Sequence, residues 1–158
     1  MLMDARSIRR TIGFVLFLGM TAPSAAQAPD LRKRLTPAEV AAVRTEVAGP
    51  GTSGLAAVST RVLFGDPTKP GLYTVELRVA PNTTIPAHTH RDVRTAVVVD
   101  GVWHFGYGPT NEAALTKALA PGSFYTEPAD QPHFARTGAE GATVAITGYG
   151  PTDTVFAH

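Results

Sequence analysis

Short stretches in which apolar and polar residues alternate run through most of the chain. Between Leu72 and Val79 the odd-numbered positions are apolar or aromatic, whereas the even-numbered positions are mostly polar. This period of two is typical of a β-strand with one buried face. Further strand-like runs, bounded by Gly, Pro, Asn or Asp, lie at residues 54–64, 95–99, 102–107, 123–127, 133–136 and 142–147. Short strands at this spacing predict an all-β sandwich or barrel.

Two local signals complete the predicted secondary structure. Asp100-Gly101 separates two apolar runs and predicts a tight hairpin, because these residues tolerate the positive φ of such turns. Near the N-terminus, Thr36 and Glu39 can form a capping box around Pro37, and the apolar pattern predicts a helix that continues to Ala48. We expect the apolar side of this helix to pack against the barrel.

The first 28 residues have the pattern of a secretory signal peptide. Three arginines precede an apolar run at residues 11–20, and small residues follow. The run is about half of the ~20 residues that a transmembrane helix needs. We therefore expect cleavage after Ala26 or Ala28 and a periplasmic or secreted protein without stable membrane association. An uncleaved membrane anchor is the alternative.

Length and composition fit one folded domain after the leader. The chain has 158 residues, of which 44% are hydrophobic, and this is enough for one core. We divide it into a signal peptide (1–28), an N-terminal helix and linker (29–53) and a barrel domain (54–158). The absence of cysteine from the sequence excludes disulfides and thiolate metal sites.

Charge argues against nucleic acid or an anionic membrane surface as a partner. The chain has 14 Lys and Arg against 13 Asp and Glu, and three of the arginines and one aspartate lie in the leader. The remainder is therefore close to neutral and offers no broad electropositive surface. A small molecule is the expected partner.

Two histidines two residues apart are the strongest chemical signal in the sequence. On a strand, His88 and His90 would point to the same face and form half of a metal site. His133, after Pro132 at the end of another strand-like run, is the candidate third ligand. Imidazoles on neighbouring strands of a small barrel can converge on one divalent transition metal, and they suit Zn, Fe, Ni, Cu and, with oxygen ligands, Mn.

The spacing of these residues resembles the two motifs of the cupin superfamily. The first is Pro86-x-His88-x-His90-x-x-x-Arg94, followed after six residues by Gly101. The second comprises Pro121-Gly122 and then Pro128-Ala-Asp-Gln-Pro132-His133. The resemblance covers roughly residues 71–150 and is much more specific than His-x-His alone.

The resemblance implies a cupin double-stranded β-helix, a small jelly-roll-like barrel of two antiparallel sheets with a metal inside. It implies that His88, His90 and His133 are metal ligands. Arg94 stands where the family carries a ligating glutamate. Because a guanidinium cannot bind a cation, the fourth ligand is either missing or supplied by another residue.

Three interpretations of Arg94 remain open. The site can be a three-histidine centre with open positions, or Arg94 can turn inward and anchor a substrate carboxylate. Alternatively, Glu127 can project into the barrel, where it would complete the metal shell, pair with Arg94 or act as a general base. We therefore treat Arg94 and Glu127 as candidate catalytic residues, and an exposed Glu127 at the rim is the competing interpretation.

Other polar and aromatic residues are weaker candidates. Asp92 shares the parity of the histidine pair, and His104 either lines a pocket or is an ordinary strand residue, whereas His158 is expected to be free in solvent. Six aromatic residues are expected in the core or around an apolar pocket: Tyr73, Trp103, Phe105, Tyr107, Phe124 and Tyr125.

The sequence leaves the function between an enzyme and a binding module. A metal-dependent oxidoreductase of the dioxygenase type acting on a small molecule is our first hypothesis, and decarboxylase and isomerase chemistry are also compatible. A non-catalytic cupin that binds a small molecule or a metal is the alternative. A metal-free sugar-nucleotide epimerase is more distant, and a homodimer is compatible with all of these.

Overall fold

The computed structural model describes residues 31–49 and 52–157. The predicted signal peptide and His158 lie outside the described residues. From Lys33 onward the chain forms one compact unit. No helix in the part of the chain that the structure describes is long and apolar enough to cross a membrane.

Antiparallel strands dominate the described residues, as the alternating pattern predicted. They are β1 Glu46–Val47, β2 Val58–Phe64, β3 Gly71–Val79, β4 Thr84–Thr89, β5 Arg94–Tyr107, β6 Thr116–Leu119, β7 Phe124–Glu127, β8 His133–Gly150 and β9 Val155–Phe156. A short helix, α1 Pro37–Ala42, precedes them, and a 3₁₀ turn lies at Ala113–Leu115. The predicted all-β class is confirmed.

The long strand β8 organises the sheet. Its residues 142–150 pair with β3, its first residues pair with β4, and β5 pairs along nearly its whole length. On one side of β8, β3 pairs with β2 and β2 with β1, and on the other side β4 pairs with β9. β6 and β7 pair with opposite ends of β5. The sheet therefore curls around one core, and both of its halves face the same interior.

The alternation in β3 shows how the sequence builds that interior. Tyr73 and Val75 are completely buried, whereas Leu72 and Arg78 on the other face are exposed. On the neighbouring strand, Val144 and Ile146 point to the same core. The aromatic residues Trp103, Phe105 and Tyr125 complete the wall of the core.

The predicted hairpin at Asp100-Gly101 is wrong, because β5 continues through these residues. Gly101 has φ +71° and faces Gly141 at φ +73°, and the register of β5 on β8 shifts on both sides of Gly101. This is a glycine β-bulge, which bends a strand without reversing it. Because of the extra residue, the inward-facing positions are even-numbered before the bulge and odd-numbered after it. Arg94 and Trp103 therefore both face the interior. On the neighbouring strand, β8 likewise continues through Gly141 without reversing. The two predicted runs at 133–136 and 142–147 are therefore parts of one strand.

The N-terminal helix is capped as predicted but is shorter. The Thr36 hydroxyl accepts a hydrogen bond from the Glu39 backbone, and the Glu39 carboxylate accepts one from the Thr36 backbone at 2.7 Å. α1 ends at Ala42 because the β-branched stretch that follows leads into β1, which pairs with β2. None of its residues is buried, so the expectation of a packed apolar side is wrong.

Candidate metal centre

Three histidines meet at one end of the barrel interior. His88 lies near the end of β4, His90 follows directly after that strand, and His133 begins β8 opposite His88. One ring nitrogen from each lies within 4.8 Å of the others. The three side chains are buried, and their ring centroids are 4.5–5.1 Å apart. The strand pairing therefore produces the cluster that the two histidine motifs predicted.

Backbone carbonyls hold the three imidazoles in one orientation. Nδ1 of His88 contacts Pro86 O at 2.6 Å, Nδ1 of His133 contacts Gln131 O at 3.0 Å, and Nδ1 of His90 contacts Asp153 O. Because a carbonyl oxygen can only accept, each Nδ1 carries the proton. Each Nε2 is then left with a lone pair, which is the arrangement that metal-binding histidines use.

Burial keeps these imidazoles neutral. It lowers the pKa of His88 to about 4, and the neighbouring His133 acts in the same direction. It lowers the pKa of His90 to about 3, aided by the charge of Arg94, and it also lowers the pKa of His133. The 3.8 Å contacts of the His90 and His133 Nε2 atoms with Glu127 Oε2 are therefore not ion pairs at neutral pH.

Arg94 and Glu127 form a buried ion pair beside the histidines. They face each other across β5 and β7, they are 2% and 3% exposed, and Arg94 Nε donates to Glu127 Oε2 at 2.5 Å. Burial opposes the charged form of both groups, but their mutual attraction raises the pKa of Arg94 and lowers that of Glu127. Both side chains point into the barrel, so Glu127 is not an exposed rim residue.

This geometry narrows the alternatives for Arg94 and Glu127. Of the options for Glu127, pairing with Arg94 is the one that the contacts show. Its Oε2 also lies between two histidine Nε2 atoms, so a role as metal ligand stays a prediction. The catalytic roles predicted for both residues likewise stay predictions.

Solved structures of similar fold include cupins. A polyketide cyclase from Streptomyces resistomycificus is 23% identical with a TM-score of 0.60, over 80% of this chain and 87% of its own. A cupin-2 domain protein from Rhodospirillum rubrum is 16% identical with a TM-score of 0.60, over 83% of both chains. An RmlC-like cupin from Shewanella frigidimarina is 19% identical with a TM-score of 0.53, over 68% of this chain and 83% of its own. The chain has the cupin fold.

At the level of sequence, neither a protein-family model nor a curated protein matches this chain. The structural likeness therefore shows the fold, and the chemistry has to be argued from the residues of this chain.

The donor set fits a divalent transition metal. The Nε2 atoms of His90 and His133 are buried and have no hydrogen-bond partner among the residues that the structure describes. Such orphaned polar atoms are rare in folded proteins and point to a group that binds there. Three neutral imidazoles with a nearby carboxylate are typical ligands for Zn, Fe, Ni or Cu, and none of them needs to lose a proton at neutral pH.

The histidines open onto a small interior cavity of about 20 Å³. Ser53, Trp103 and Tyr125 also line it, each with a buried polar atom that has no hydrogen-bond partner. The Tyr125 hydroxyl lies close enough to Trp103 and Glu127 for both to influence its pKa, but neither contact has hydrogen-bond geometry. Burial raises the pKa of Tyr125 well above its usual value, so its hydroxyl carries a proton at neutral pH.

The weaker candidates lie elsewhere. Asp92 shares the interior, accepts hydrogen bonds from Tyr73 at 2.7 Å and Thr152 at 2.6 Å, and its charge also acts on Arg94. His104 is half-buried and lines a separate groove beside Gly138 and Glu140. Among the six aromatic residues, Tyr73, Trp103, Phe105 and Tyr125 are buried, whereas Tyr107 and Phe124 are exposed beside a larger groove.

No sequence pattern indicated Ser53, Asp153 or Thr154 as part of the site. Asp153 lies between β8 and β9, and its backbone oxygen fixes the His90 tautomer while its carboxylate binds Arg91 at 2.8 Å. Thr154 contacts His90 Nδ1 at 3.4 Å and donates to Thr52 O at 2.8 Å, which places Ser53 next to the cavity. These contacts bring two segments outside both histidine motifs to the site and depend on tertiary structure alone.

Proposed function

We propose that this cupin is an exported protein that binds one divalent transition metal through His88, His90 and His133 and uses it to act on a small molecule. The observation that carries the proposal is the pair of buried, partnerless Nε2 atoms on His90 and His133. His88 adds a third imidazole with the same tautomer. Export is proposed from the N-terminal pattern of arginines, apolar residues and small residues.

A metal held there would act as a Lewis acid or as a redox centre with open coordination positions. The protein contributes orientation, because carbonyl contacts hold all three imidazoles before any ligand arrives. Arg94 holds the Glu127 carboxylate at the edge of the site, where it can receive a proton or bind a ligand group. The aromatic walls exclude bulk water, which strengthens electrostatic interactions inside the cavity.

Within this proposal, oxidation of a small molecule is our first hypothesis for the reaction. The solved structures of similar fold include a polyketide cyclase and DMSP lyases, the latter 20% identical with a TM-score of 0.56. Enzymes of this fold thus carry out different reactions, and the fold does not choose among them. Decarboxylation and isomerisation remain the alternatives.

The size of the cavity favours a second candidate, a non-catalytic metal-binding module. A cavity of about 20 Å³ has room for an ion and roughly one water, not for a whole substrate. An enzyme of this kind must admit its substrate from outside past the wall residues. Metal-dependent dioxygen uptake with small carboxylates or phenols, absent in His133→Ala, would favour the enzyme.

Metal content is the direct test of the proposal. The purified protein should contain about one Fe, Mn, Ni, Cu or Zn per chain by elemental analysis, and His88→Ala and His133→Ala should lose it. Loss in Glu127→Gln as well would make Glu127 the fourth ligand. No metal in the wild type after reconstitution, with binding only in Arg94→Glu, would overturn the proposal. N-terminal sequencing of protein from a periplasmic fraction tests export, and an intact leader would contradict it.

A further inference from the structure

Three hydrogen-bond donors without partners face the cavity beside the histidines. Ser53 Oγ, Trp103 Nε1 and Tyr125 Oη are buried, and these three side chains are 3–6% exposed. With the Nε2 atoms of His90 and His133 they make up five of the six partnerless buried side-chain polar atoms among the described residues. All five residues line the same cavity. Such a cluster of unpaired buried polar atoms indicates a place where a ligand forms hydrogen bonds with them.

The chemistry of the donors indicates what this ligand must offer. An indole N–H can only donate, and the hydroxyls of Ser53 and Tyr125 can donate as well. A group that satisfies these donors is therefore a hydrogen-bond acceptor, and an oxygen atom with its two or more lone pairs can accept from more than one of them. An apolar group there would leave each donor buried and unpaired, which proteins avoid.

Charge favours an anionic oxygen. The three imidazoles bring no negative charge, and the carboxylate of Glu127 is balanced by Arg94. A divalent metal bound by these histidines would therefore leave the cavity with excess positive charge. A carboxylate would offset this charge and present oxygens to the metal and to the donors at the same time.

The space around the cavity indicates the rest of the ligand. The cavity of about 20 Å³ can take only a small head group. The rings of Phe105 and Tyr125 line this cavity and also an open outer groove of about 480 Å³. Apolar side chains dominate the other walls of that groove, which are Tyr107, Leu115, Leu119 and Phe124 with Lys117 and Thr126. The rings of Phe105 and Tyr125 therefore border both the apolar groove and the cavity that holds the donors.

We propose that Ser53, Trp103 and Tyr125 form an oxygen-binding subsite beside the metal, and that the ligand is a carboxylate whose apolar body lies in the outer groove. This rests on the proposed function for the metal, which supplies the excess positive charge. The rings of Phe105 and Tyr125 must move apart for one ligand to occupy the cavity and the outer groove together. Entry of the ligand therefore requires a displacement of these two side chains.

The sole tryptophan of the sequence makes the subsite directly observable, because Trp103 is one of the three donors. We would load the protein with zinc, titrate it with phenylacetate, acetate and methyl phenylacetate, and follow Trp103 fluorescence, with calorimetry for the dissociation constants. Phenylacetate should change the emission and bind at least about tenfold more tightly than acetate, because its ring adds apolar contact. The uncharged ester should bind much more weakly than phenylacetate.

Variants connect this binding to the donors. Tyr125→Phe and Ser53→Ala should each weaken phenylacetate binding about tenfold, because each removes one hydrogen bond to a charged group. Tyr149→Phe is the matched control, since Tyr149 is 67% exposed on the outer surface, and it should leave binding unchanged. Circular dichroism and thermal unfolding of each variant would confirm that it is folded.

The outcomes separate the two proposals. One zinc per chain with no carboxylate binding, or with equal binding by wild type, Tyr125→Phe and Ser53→Ala, would overturn the subsite and leave the metal site standing. Acetate binding as tightly as phenylacetate would overturn the role of the groove. Absence of zinc would overturn the metal proposal, and the same variants compared without metal would then decide the subsite alone.

Discussion

The central cavity is lined by two kinds of buried polar group. The imidazoles of His90 and His133 are neutral, and no described residue forms a hydrogen bond with their Nε2 atoms. Beside them, Arg94 and Glu127 are charged and bind each other. The histidines therefore keep an unused acceptor atom for a ligand, whereas the ion pair already satisfies much of its own hydrogen-bonding capacity.

This difference shows how a buried polar residue can be assigned a role. A buried group that is satisfied within the protein contributes to the fold, and its removal mainly affects stability. A buried group that is oriented but unsatisfied contributes little to stability alone and is available to a ligand. Predictions that separate stability from binding therefore test the comparison.

The largest expected effect is on metal affinity. His133→Ala should weaken zinc binding by more than about a thousandfold, because one of three ligands is lost. The same change should cost the metal-free protein only the packing of the ring and its Nδ1 hydrogen bond, since Nε2 has no partner among the described residues. Calorimetry with zinc and urea unfolding without metal measure the two effects.

His104→Ala is the control for that experiment, because His104 lines a separate groove. It should bind zinc like the wild type. A loss of metal-free stability well above the ~3–5 kcal/mol expected for removing a buried ring would break the comparison, since that histidine would then be a structural residue.

The ion pair should show the opposite behaviour. Glu127→Gln should destabilise the protein by about 3–5 kcal/mol, because buried Arg94 would lose its direct ion-pair partner. The double variant Arg94→Met with Glu127→Leu should recover much of this loss, since it removes both charges. Urea unfolding of the single and double variants measures the difference. If Glu127→Gln lowers the free energy of unfolding by less than about 1 kcal/mol, the ion pair does not stabilise the fold as a buried pair should.

Acid should begin to destabilise the metal-free protein at pH values higher than those at which carboxylates usually titrate. The folded pKa values of about 4 for His88 and about 3 for His90 lie below the unfolded value of 6.5. Between pH 6.5 and about 4 the unfolded chain therefore binds more protons, and the free energy of unfolding falls as the pH falls. Each buried histidine contributes a slope of up to about 1.4 kcal/mol per pH unit.

Urea unfolding across this pH window measures the slope. His88→Phe should reduce it, because it removes one of the titrating groups. A flat profile between pH 6.5 and 5 in the metal-free wild type would contradict neutral burial of the histidines.

The smallest expected effect concerns the hydrogen bonds that Asp92 accepts from Tyr73 and Thr152. As in the ion pair, these polar groups find their partners within the protein. Thr152→Val should cost about 1–2 kcal/mol, because the hydroxyl that donates to Asp92 at 2.6 Å is lost. Zinc affinity should not change, since Asp92 is not one of the clustered histidines. Weakened zinc binding in this variant would show that the network supports the metal site.

The sequence predicted those parts of the structure that depend on local pattern and motif spacing. Alternation revealed the buried face of β3, and the two motifs identified the three histidines that converge. Asp100-Gly101 was misread as a hairpin, because a glycine at positive φ serves a turn and a bulge equally well, and the difference depends on the facing Gly141.

Contacts between distant segments had no sequence signal. The carbonyl of Asp153 on His90 and the hydroxyl of Ser53 in the cavity come from segments outside both motifs. The inward direction of Glu127 depended on strand parity, which sequence leaves uncertain by a residue, and its pairing with Arg94 followed from the register of β5 on β7.

The position of the histidines on β4 and β8 has a consequence for folding kinetics. His88 and His133 meet only when these two strands, which are far apart in the chain, have paired. Pairing of this kind closes long loops and belongs to the slow, late steps of folding. A metal bound by both residues would therefore stabilise contacts that are absent from early states. It would lengthen the lifetime of the folded barrel by slowing unfolding, while leaving the rate of folding almost unchanged.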